Sequence, residues 1–242
     1  MKRVGLILRF NNKQSKMKSL SIISYLVLVV ALILTSCRGG TSNEVSNYNE
    51  VSISNKASDS NKVNIGKQIW MSKNLNLDKF QNGDPIPEAR TEDDWVKAVG
   101  RKQPAWCYFE NDLKNGNRYG KLYNWYAVND PRGIAPSGWH IPSMKEWNNL
   151  FNHIGAGNED CLKSKFGWPN NLCSSNIREF SALPGGCRFH YQAKEFAGFT
   201  GIEYSGYWWS SDEGEYVLIG EDQALGVMDP NGNGFSVRCL KD

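Results

Sequence analysis

The stretch Ser137–Ile154 constrains the fold of this chain most, because it contains the start signals of a helix. Ser143 and Glu146 have the spacing of a capping box. In that motif the serine hydroxyl accepts from the backbone N–H of the glutamate, and the carboxylate accepts from the N–H of the serine. Apolar side chains then recur at the helical spacing i, i+3, i+4 and i+7: Trp147, Leu150, Phe151 and Ile154. We therefore expect an amphipathic helix that begins after Ser143 and buries one face.

The residues before this helix have the alternation of a half-buried strand. Trp139 and Ile141 would lie on one face, with His140 between them on the other. We expect Trp139, like the tryptophan of the helix, to face the core. His140 and His153 are interpreted as structural or exposed residues, because the three histidines of the chain lack the short spacings of a zinc site.

Basic residues are concentrated at the N-terminus. Residues 1–36 carry six Lys or Arg and no acidic side chain, which leaves 22 basic against 25 acidic residues in the remainder. The formal charge of +3 for the whole chain therefore becomes −3 for residues 37–242. That balance predicts no basic surface for nucleic acid, and we expect no nucleic-acid partner.

Residues 1–36 have the layout of a bacterial signal peptide. The apolar run Ile22–Leu34 follows the basic residues and is shorter than the roughly 20 residues of a membrane-spanning helix. It leads into Leu34-Thr35-Ser36-Cys37, which resembles the lipobox of lipoproteins. The resemblance implies cleavage before Cys37 and attachment of acyl chains, such as palmitate, to its thiol and new amino group. A transmembrane anchor that ends in cysteine is the alternative.

Lipidation of Cys37 would make the membrane a partner of the protein, since several acyl chains together anchor stably. Arg38 follows the cysteine, which under the enterobacterial sorting rule favours the outer membrane. We expect a lipid-anchored protein of the bacterial cell envelope, in the outer membrane or at the cell surface. Translation could start at Met1 or at Met17, because the chain from Met17 already forms a complete signal peptide.

Residues 37–64 are predicted to be a flexible tether. Twelve of the 27 residues from Arg38 to Asn64 are Ser or Asn, and Tyr48 is the only aromatic. Such a segment buries too little apolar surface to offset the entropy of ordering. All nine tryptophans lie beyond residue 64, so we place one folded domain at residues 65–242.

The pattern of this domain predicts helices first and antiparallel strands later, which is the α+β class. The predicted helices are 92–99, 119–128 and the capped helix after Ser143, with a polar turn at 111–117. The predicted strands are 65–71, 105–109, 207–211, 215–219, 224–228 and 235–240. The stretch 180–186 is predicted to end a strand in a Gly-Gly turn.

Six motifs in a fixed order carry a resemblance to a known family. They are Ile69–Asn76, Tyr119–Trp125, Ser137–Ser143, Phe180–Gly186, Trp208–Ser211 and Gly234–Cys239. Together they resemble the Fibrobacter succinogenes major paralogous domain (FISUMP) over roughly residues 65–242. The resemblance implies a C-type lectin-like fold with two or three short helices and a twisted antiparallel sheet. That branch of the fold includes formylglycine-generating enzymes and the variable proteins of diversity-generating retroelements.

The chain departs from the family pattern at its cysteines. Members often carry a cysteine where this sequence has Ala135, and Cys187 stands after the Gly-Gly turn, where an aromatic is common. If Cys37 is lipidated, five cysteines remain: Cys107, Cys161, Cys173, Cys187 and Cys239. The envelope permits disulfides. Cys161 and Cys173 bracket a turn-rich loop and could pair, but the sequence leaves the connectivity open.

Catalysis is not expected from the sequence, and no cofactor is predicted. Formylglycine-generating enzymes use a copper-binding cysteine pair that these cysteines do not clearly reproduce, and Cys239 is more simply structural. An oxidoreductase of that kind is kept as an alternative. Residues 229–234 fit the first half of an EF-hand loop, but Leu240 stands where its bidentate glutamate belongs. We interpret that stretch as a tight turn and predict no metal site.

Aromatic residues of the C-terminal part are the predicted binding surface. In lectin-like folds this part supplies the ligand face, and exposed aromatics suit sugar stacking or a protein contact. The candidate residues are Phe189, His190, Tyr191, Tyr204, Tyr207 and Trp208. We therefore expect a non-catalytic binding module for a glycan or a partner protein. The alternatives are the oxidoreductase and a structural lipoprotein without a small ligand.

Overall fold

The computed structural model describes residues 61–155, 157–169, 180–190, 198–220 and 230–242. The predicted signal peptide, most of the predicted tether, Cys173, Tyr191 and the strand predicted at 224–228 lie outside these ranges. Within them the fold combines four α-helices with several mostly antiparallel sheets, so the α+β prediction is confirmed. No helix in the described ranges is both long and apolar enough to cross a bilayer.

The elements follow in chain order. The helices are α1 (Glu92–Gly100), α2 (Leu113–Tyr119), α3 (Trp125–Val128) and α4 (Met144–Ile154). The strands are β1 (Lys62–Ile65), β2 (Gln68–Met71), β3 (Trp106–Cys107), β4 (Leu122–Tyr123), β5 (Trp139–His140), β6 (Gly185–Phe189), β7 (Gly198–Ile202), β8 (Ser205–Trp209), β9 (Tyr216–Gly220) and β10 (Leu240–Lys241). The number of helices exceeds the two or three predicted.

The first sheet joins both ends of the described domain. Its strand order is β1-β2-β10-β5, so the last strand of the chain lies between the second and the fifth. The single strand predicted at 65–71 is wrong, because the chain reverses at Gly66 into the β1–β2 hairpin. Gly66 has φ +59°, and a Cβ there would lie 2.9 Å from the Nδ1 of His153. Glycine is therefore required at this turn.

The predicted helix after Ser143 is confirmed as α4. The hydroxyl of Ser143 accepts from the N–H of Glu146, and the Glu146 carboxylate accepts from the N–H of Ser143 at 2.8 Å. Of the predicted stripe, Trp147, Leu150 and Ile154 are buried. The helix predicted at 92–99 is confirmed as α1, which Thr91 caps in the same way.

The prediction for residues 111–128 is wrong in its order of elements. The predicted polar turn is helix α2, which the Asp112 side chain caps and Gly120 ends at φ +83°. The predicted helix is divided, because Leu122 and Tyr123 form β4 and pair with β3. Asn124 then caps the short helix α3.

The second half of the domain forms a separate sheet with the order β7-β6-β8-β9, in which β6 and β8 are parallel. The strands predicted at 207–211 and 215–219 correspond to β8 and β9 with shifted ends. In the predicted strand 235–240 only Leu240 belongs to a strand, while Phe235 and Ser236 make isolated bridges. The three sheets replace the single twisted sheet that was expected.

Strand β8 separates two apolar clusters. Trp208 packs into the cluster of Trp70 and Trp147, while Trp209 packs into the cluster of Trp125 and Phe235. Both side chains of this Trp pair are fully buried. The two side chains lie on opposite faces of β8, and neither is exposed, because β8 is covered on both faces.

A buried guanidinium connects four of the sequence motifs. Arg238 is fully buried and donates to the carbonyl oxygens of Met71 (3.1 Å) and Phe180 (2.7 Å). It also donates twice to Oδ1 of Asn74, at 3.1 and 2.7 Å, and the same oxygen accepts from the indole of Trp208. No carboxylate pairs with Arg238 within the described residues. Burial lowers the pKa of its guanidinium to about 9.

We predict that Asn74→Ala lowers the free energy of unfolding by about 3–5 kcal/mol, because it removes the acceptor of a buried cation. Urea denaturation of the purified protein would measure this loss. Asn148→Ala, at an exposed position of α4, is the matched control and should change stability by less than about 0.5 kcal/mol. Equal stability of the two variants would contradict the role of Asn74.

Candidate ligand-binding site

The predicted C-terminal aromatic surface is not brought together by the fold. Phe189 ends β6 opposite Gly198, whereas Gly185, at the start of β6, pairs with Ile202 beside the turn that carries Tyr204. Four residues of strand, or about 13 Å, separate the two ends of this hairpin. Tyr204 is 54% exposed, but Phe189 and His190 are half-buried at the other end. Tyr191 lies outside the described residues.

Two predicted ligand contacts belong to the core. Tyr207 and Trp208 are 1% and 0% exposed, so a ligand at the surface cannot reach them. The Tyr207 ring stacks on Phe235, with centroids 5.3 Å apart. The Trp208 indole donates to Asn74 at 2.8 Å. We correct the sequence-based hypothesis accordingly: these two residues pack the domain.

An open groove lies elsewhere, at the edge of the first sheet. It encloses about 400 Å³, within the range of small-molecule pockets. Four separate segments supply its walls: the loop after β2, the end of α3 with the following loop, β5, and the residues after β8. A smaller cavity of about 170 Å³ adjoins it and shares the lining residues Gln81, Ile134 and Ala135.

Four side chains on the groove wall carry unused hydrogen-bonding groups. Gln81 donates its amide to the carbonyl of Ala135 at 2.6 Å, which leaves Oε1 available. The amide of Asn129, the hydroxyl of Ser211 and the indole N–H of Trp139 also have no hydrogen-bond partner among the described residues. The groove therefore offers both donors and acceptors before any ligand arrives.

The groove is fixed by its surroundings. Its apolar lining includes the buried residues Trp125, Ile134 and Ile141. Arg132 pairs with Asp130 at 2.8 Å and with Asp84 at 3.1 Å. Its guanidinium also lies 4.0 Å from the ring centre of Phe80. These contacts tie the loop after α3 to the loop after β2, so little ordering remains to be done on binding.

His140 lies at the rim of the groove between two carboxylates. Its Nδ1 is 2.7 Å from Oδ1 of Asp242, and its Nε2 is 3.0 Å from Oε1 of Glu146. Burial alone would lower the pKa of His140, but the two hydrogen-bonded carboxylates outweigh it and raise the pKa above its usual value. The sequence-based interpretation of His140 as structural agrees with this clamp, which joins β5, α4 and the C-terminus.

Buried thiols offer little chemistry. Cys107, Cys187 and Cys239 are buried and form no disulfide. Burial raises the pKa of Cys107 to about 11 and that of Cys239 to about 12, which disfavours the reactive thiolate. Cys161 is disulfide-bonded. The sequence offered Cys173 as one candidate partner and left the connectivity open, and Cys173 lies outside the described residues. Among the described residues, no three His, Cys, Asp or Glu side chains converge as metal ligands.

The groove was not predicted from the sequence. Its polar side chains come from positions 81, 129, 139 and 211, which no local spacing connects. A local signal was the pair Ser137-Gly138, which is exposed next to Trp139. Trp139 was expected in the core. It packs against the core cluster of Trp125 and Phe235, but it is half-buried and also lines the groove.

Comparison with known proteins identifies one match. The family described as the Fibrobacter succinogenes major domain matches residues 63–241. This range includes β1 through β10 except for the first residue of β1. No curated protein and no solved structure matches the chain.

We predict that His140→Gln is more destabilising at pH 6 than at pH 8.5. A histidine whose folded pKa is raised contributes stability below its unfolded pKa of about 6.5, and loses it as the pH rises through the folded pKa. The pKa of Glu146 is lowered despite burial, through its bonds to Ser143 and His140, so its own contribution is lost only on further acidification. Denaturation of both forms across this pH range gives the difference directly.

The exposed His153 has no ion-pair partner in the described ranges, and His153→Gln serves as the control. A pH-independent difference for His140→Gln would contradict the clamp.

Proposed function

The chain belongs to the Fibrobacter succinogenes major domain family, and from that premise we propose that it is a lipid-anchored, non-catalytic binding module of the bacterial cell envelope. The groove recognises its ligand, a glycan or a partner protein. The observation that carries this proposal is the set of four polar side chains with unused hydrogen-bonding groups on the wall of one groove. The related proposal that the domain is C-type lectin-like rests on the family resemblance.

Binding is favoured over the oxidoreductase alternative by the state of the cysteines. The thiols of Cys107 and Cys239 are buried with raised pKa values, and neither lines the groove. A purely structural lipoprotein would not require a concavity of ligand size that is open to solvent, and this domain has one of about 400 Å³. Both considerations support a binding role.

The anchor proposal rests on the lipobox-like Leu34–Cys37. We predict that Cys37→Ser moves the protein from the membrane fraction to the soluble fraction and abolishes incorporation of labelled palmitate. Thr41→Ala lies outside the lipobox and should leave both properties unchanged. Unaltered membrane association of Cys37→Ser would contradict lipidation and favour a transmembrane anchor.

The binding proposal is tested with labelled full-length protein on glycan arrays and on whole bacterial cells. We predict that the double variant Gln81→Ala/Asn129→Ala binds at least about tenfold more weakly, because two ligand hydrogen bonds are lost. The matched variant His190→Ala/Tyr204→Ala removes two described side chains of the C-terminal aromatic set, one half-buried and one exposed, and should bind as the unaltered protein does.

Absence of binding by every form would overturn the proposed function. Loss of binding only in His190→Ala/Tyr204→Ala would overturn the groove as the site and return recognition to the C-terminal surface. Thermal unfolding of each variant separates loss of binding from loss of fold.

A further inference from the structure

We infer that the groove binds a neutral oligosaccharide, with one sugar ring stacked on Trp139 and its hydroxyls bonded to Gln81, Asn129 and Ser211. This inference rests on the proposed function and assigns the ligand class of the same site. Three properties of the groove carry it: its apolar surface, its unused polar groups and the absence of Lys, Arg, Asp and Glu from its lining.

The apolar surface suits the flat C–H face of a pyranose ring. Trp139 is a half-buried indole on the groove wall, and Trp125, Ile134 and Ile141 extend the apolar lining beneath it. An aromatic ring presents a rigid apolar face and, in tryptophan, an N–H donor at its edge. A sugar ring can therefore cover the indole while its hydroxyls stay at the periphery.

The polar groups match hydroxyls in kind. Each sugar hydroxyl can donate one hydrogen bond and accept two, so it is best met by groups of both types. The groove supplies acceptors at Oε1 of Gln81 and at the Asn129 amide, donors at that amide and at the Trp139 indole, and a hydroxyl of both kinds at Ser211. None of these groups is engaged by another described residue.

The lack of a free counter-charge separates neutral sugars from amino sugars. No Lys, Arg, Asp or Glu is among the residues that line the main groove, and the carboxylates of Asp242 and Glu146 at its rim are engaged by the two nitrogens of His140. An amino sugar would lose hydration in the groove without gaining a free carboxylate, which costs free energy. Neutral sugars carry no such cost.

The adjoining cavity indicates a chain of sugars. It continues from the groove past Gln81, Ile134 and Ala135 and is lined by Pro136, Ser137 and Lys79. A second ring could lie there beside the first. A protein partner is less suited, since stable protein interfaces cover about 800 Å² on each side, whereas a groove of about 400 Å³ is of small-molecule size.

The test is calorimetric titration of the full-length protein in a detergent without sugar head groups. The probes are neutral cello-, xylo- and manno-oligosaccharides of one to six units, with chitosan oligomers of matched length as the charged counterpart, since Lys79 would supply a counter-charge to a uronate in the adjoining cavity. We expect at least one neutral series to bind, affinity to rise from one unit to two or three, and the charged oligomers to bind at least about tenfold more weakly.

Variants assign the stacking contact. Trp139→Ala should weaken binding at least about tenfold, whereas Trp139→Phe, which keeps an aromatic face, should retain most of the affinity. Asn129→Ala and Ser211→Ala should each cost about three- to tenfold. Phe166→Ala removes an aromatic that is 78% exposed and does not line the groove, and it should leave affinity unchanged.

Three outcomes would overturn the inference: no neutral series binds, charged oligomers bind as well as neutral ones, or Trp139→Ala and the two polar variants all keep full affinity. The proposed function is judged separately by binding to whole cells. If cells are bound in a groove-dependent manner and no sugar is, the sugar class is wrong while the binding module stands. If neither is bound, both proposals fail.

Discussion

The hydrogen bonds of the Arg238 guanidinium set the arrangement on which the rest of the domain depends. A fully buried cation without a carboxylate is tolerable only when its donors find acceptors in the right places. Two of those acceptors are the backbone carbonyls of Met71 and Phe180, and the third is Oδ1 of Asn74. Three segments far apart in sequence must therefore meet at one point, with backbone geometry as well as side chains in register. Such a requirement favours one packing of the aromatic clusters over alternatives of similar hydrophobic content.

A second buried guanidinium connects the other side of the domain in a different way. Arg188 on β6 pairs with Glu92 of α1 at 2.7 Å and lies between the rings of Trp95 and Phe199, 4.7 and 4.9 Å from their centres. Here a carboxylate and two aromatic faces accompany one backbone carbonyl, that of Thr91 at 3.4 Å, whereas Arg238 has carbonyl and amide acceptors. The candidate groove is connected to the Arg238 network through the first sheet. Trp139 of the groove pairs with Lys241 of β10, and β10 follows Arg238 in the chain. The wall of the groove is thus held by the same sheet that the Arg238 network supports.

Local signals predicted the elements that local forces determine. Helix α4 followed from Ser143, Glu146 and an apolar stripe, all within one stretch, and the structure agrees with each. The prediction for residues 111–128 was wrong because β4 exists only through its pairing with β3, which helical spacing does not reveal. Trp208 was predicted as a ligand contact because it lies in an aromatic-rich stretch. It is buried, because other elements cover both faces of β8. The groove could not be predicted for the same reason: its four polar side chains become neighbours only after the sheets and loops have packed.

The position of β10 determines when this domain can be completed during synthesis. The first sheet has a vacancy between β2 and β5 until residues 240 and 241 are available, and the guanidinium that closes the interior lies only a few residues earlier. A nascent chain that has already emerged through Trp209 still lacks both the strand and the cation that hold its earlier parts together. The domain therefore cannot reach its complete packing before residues 238–241 are available, however early its first helices and strands form.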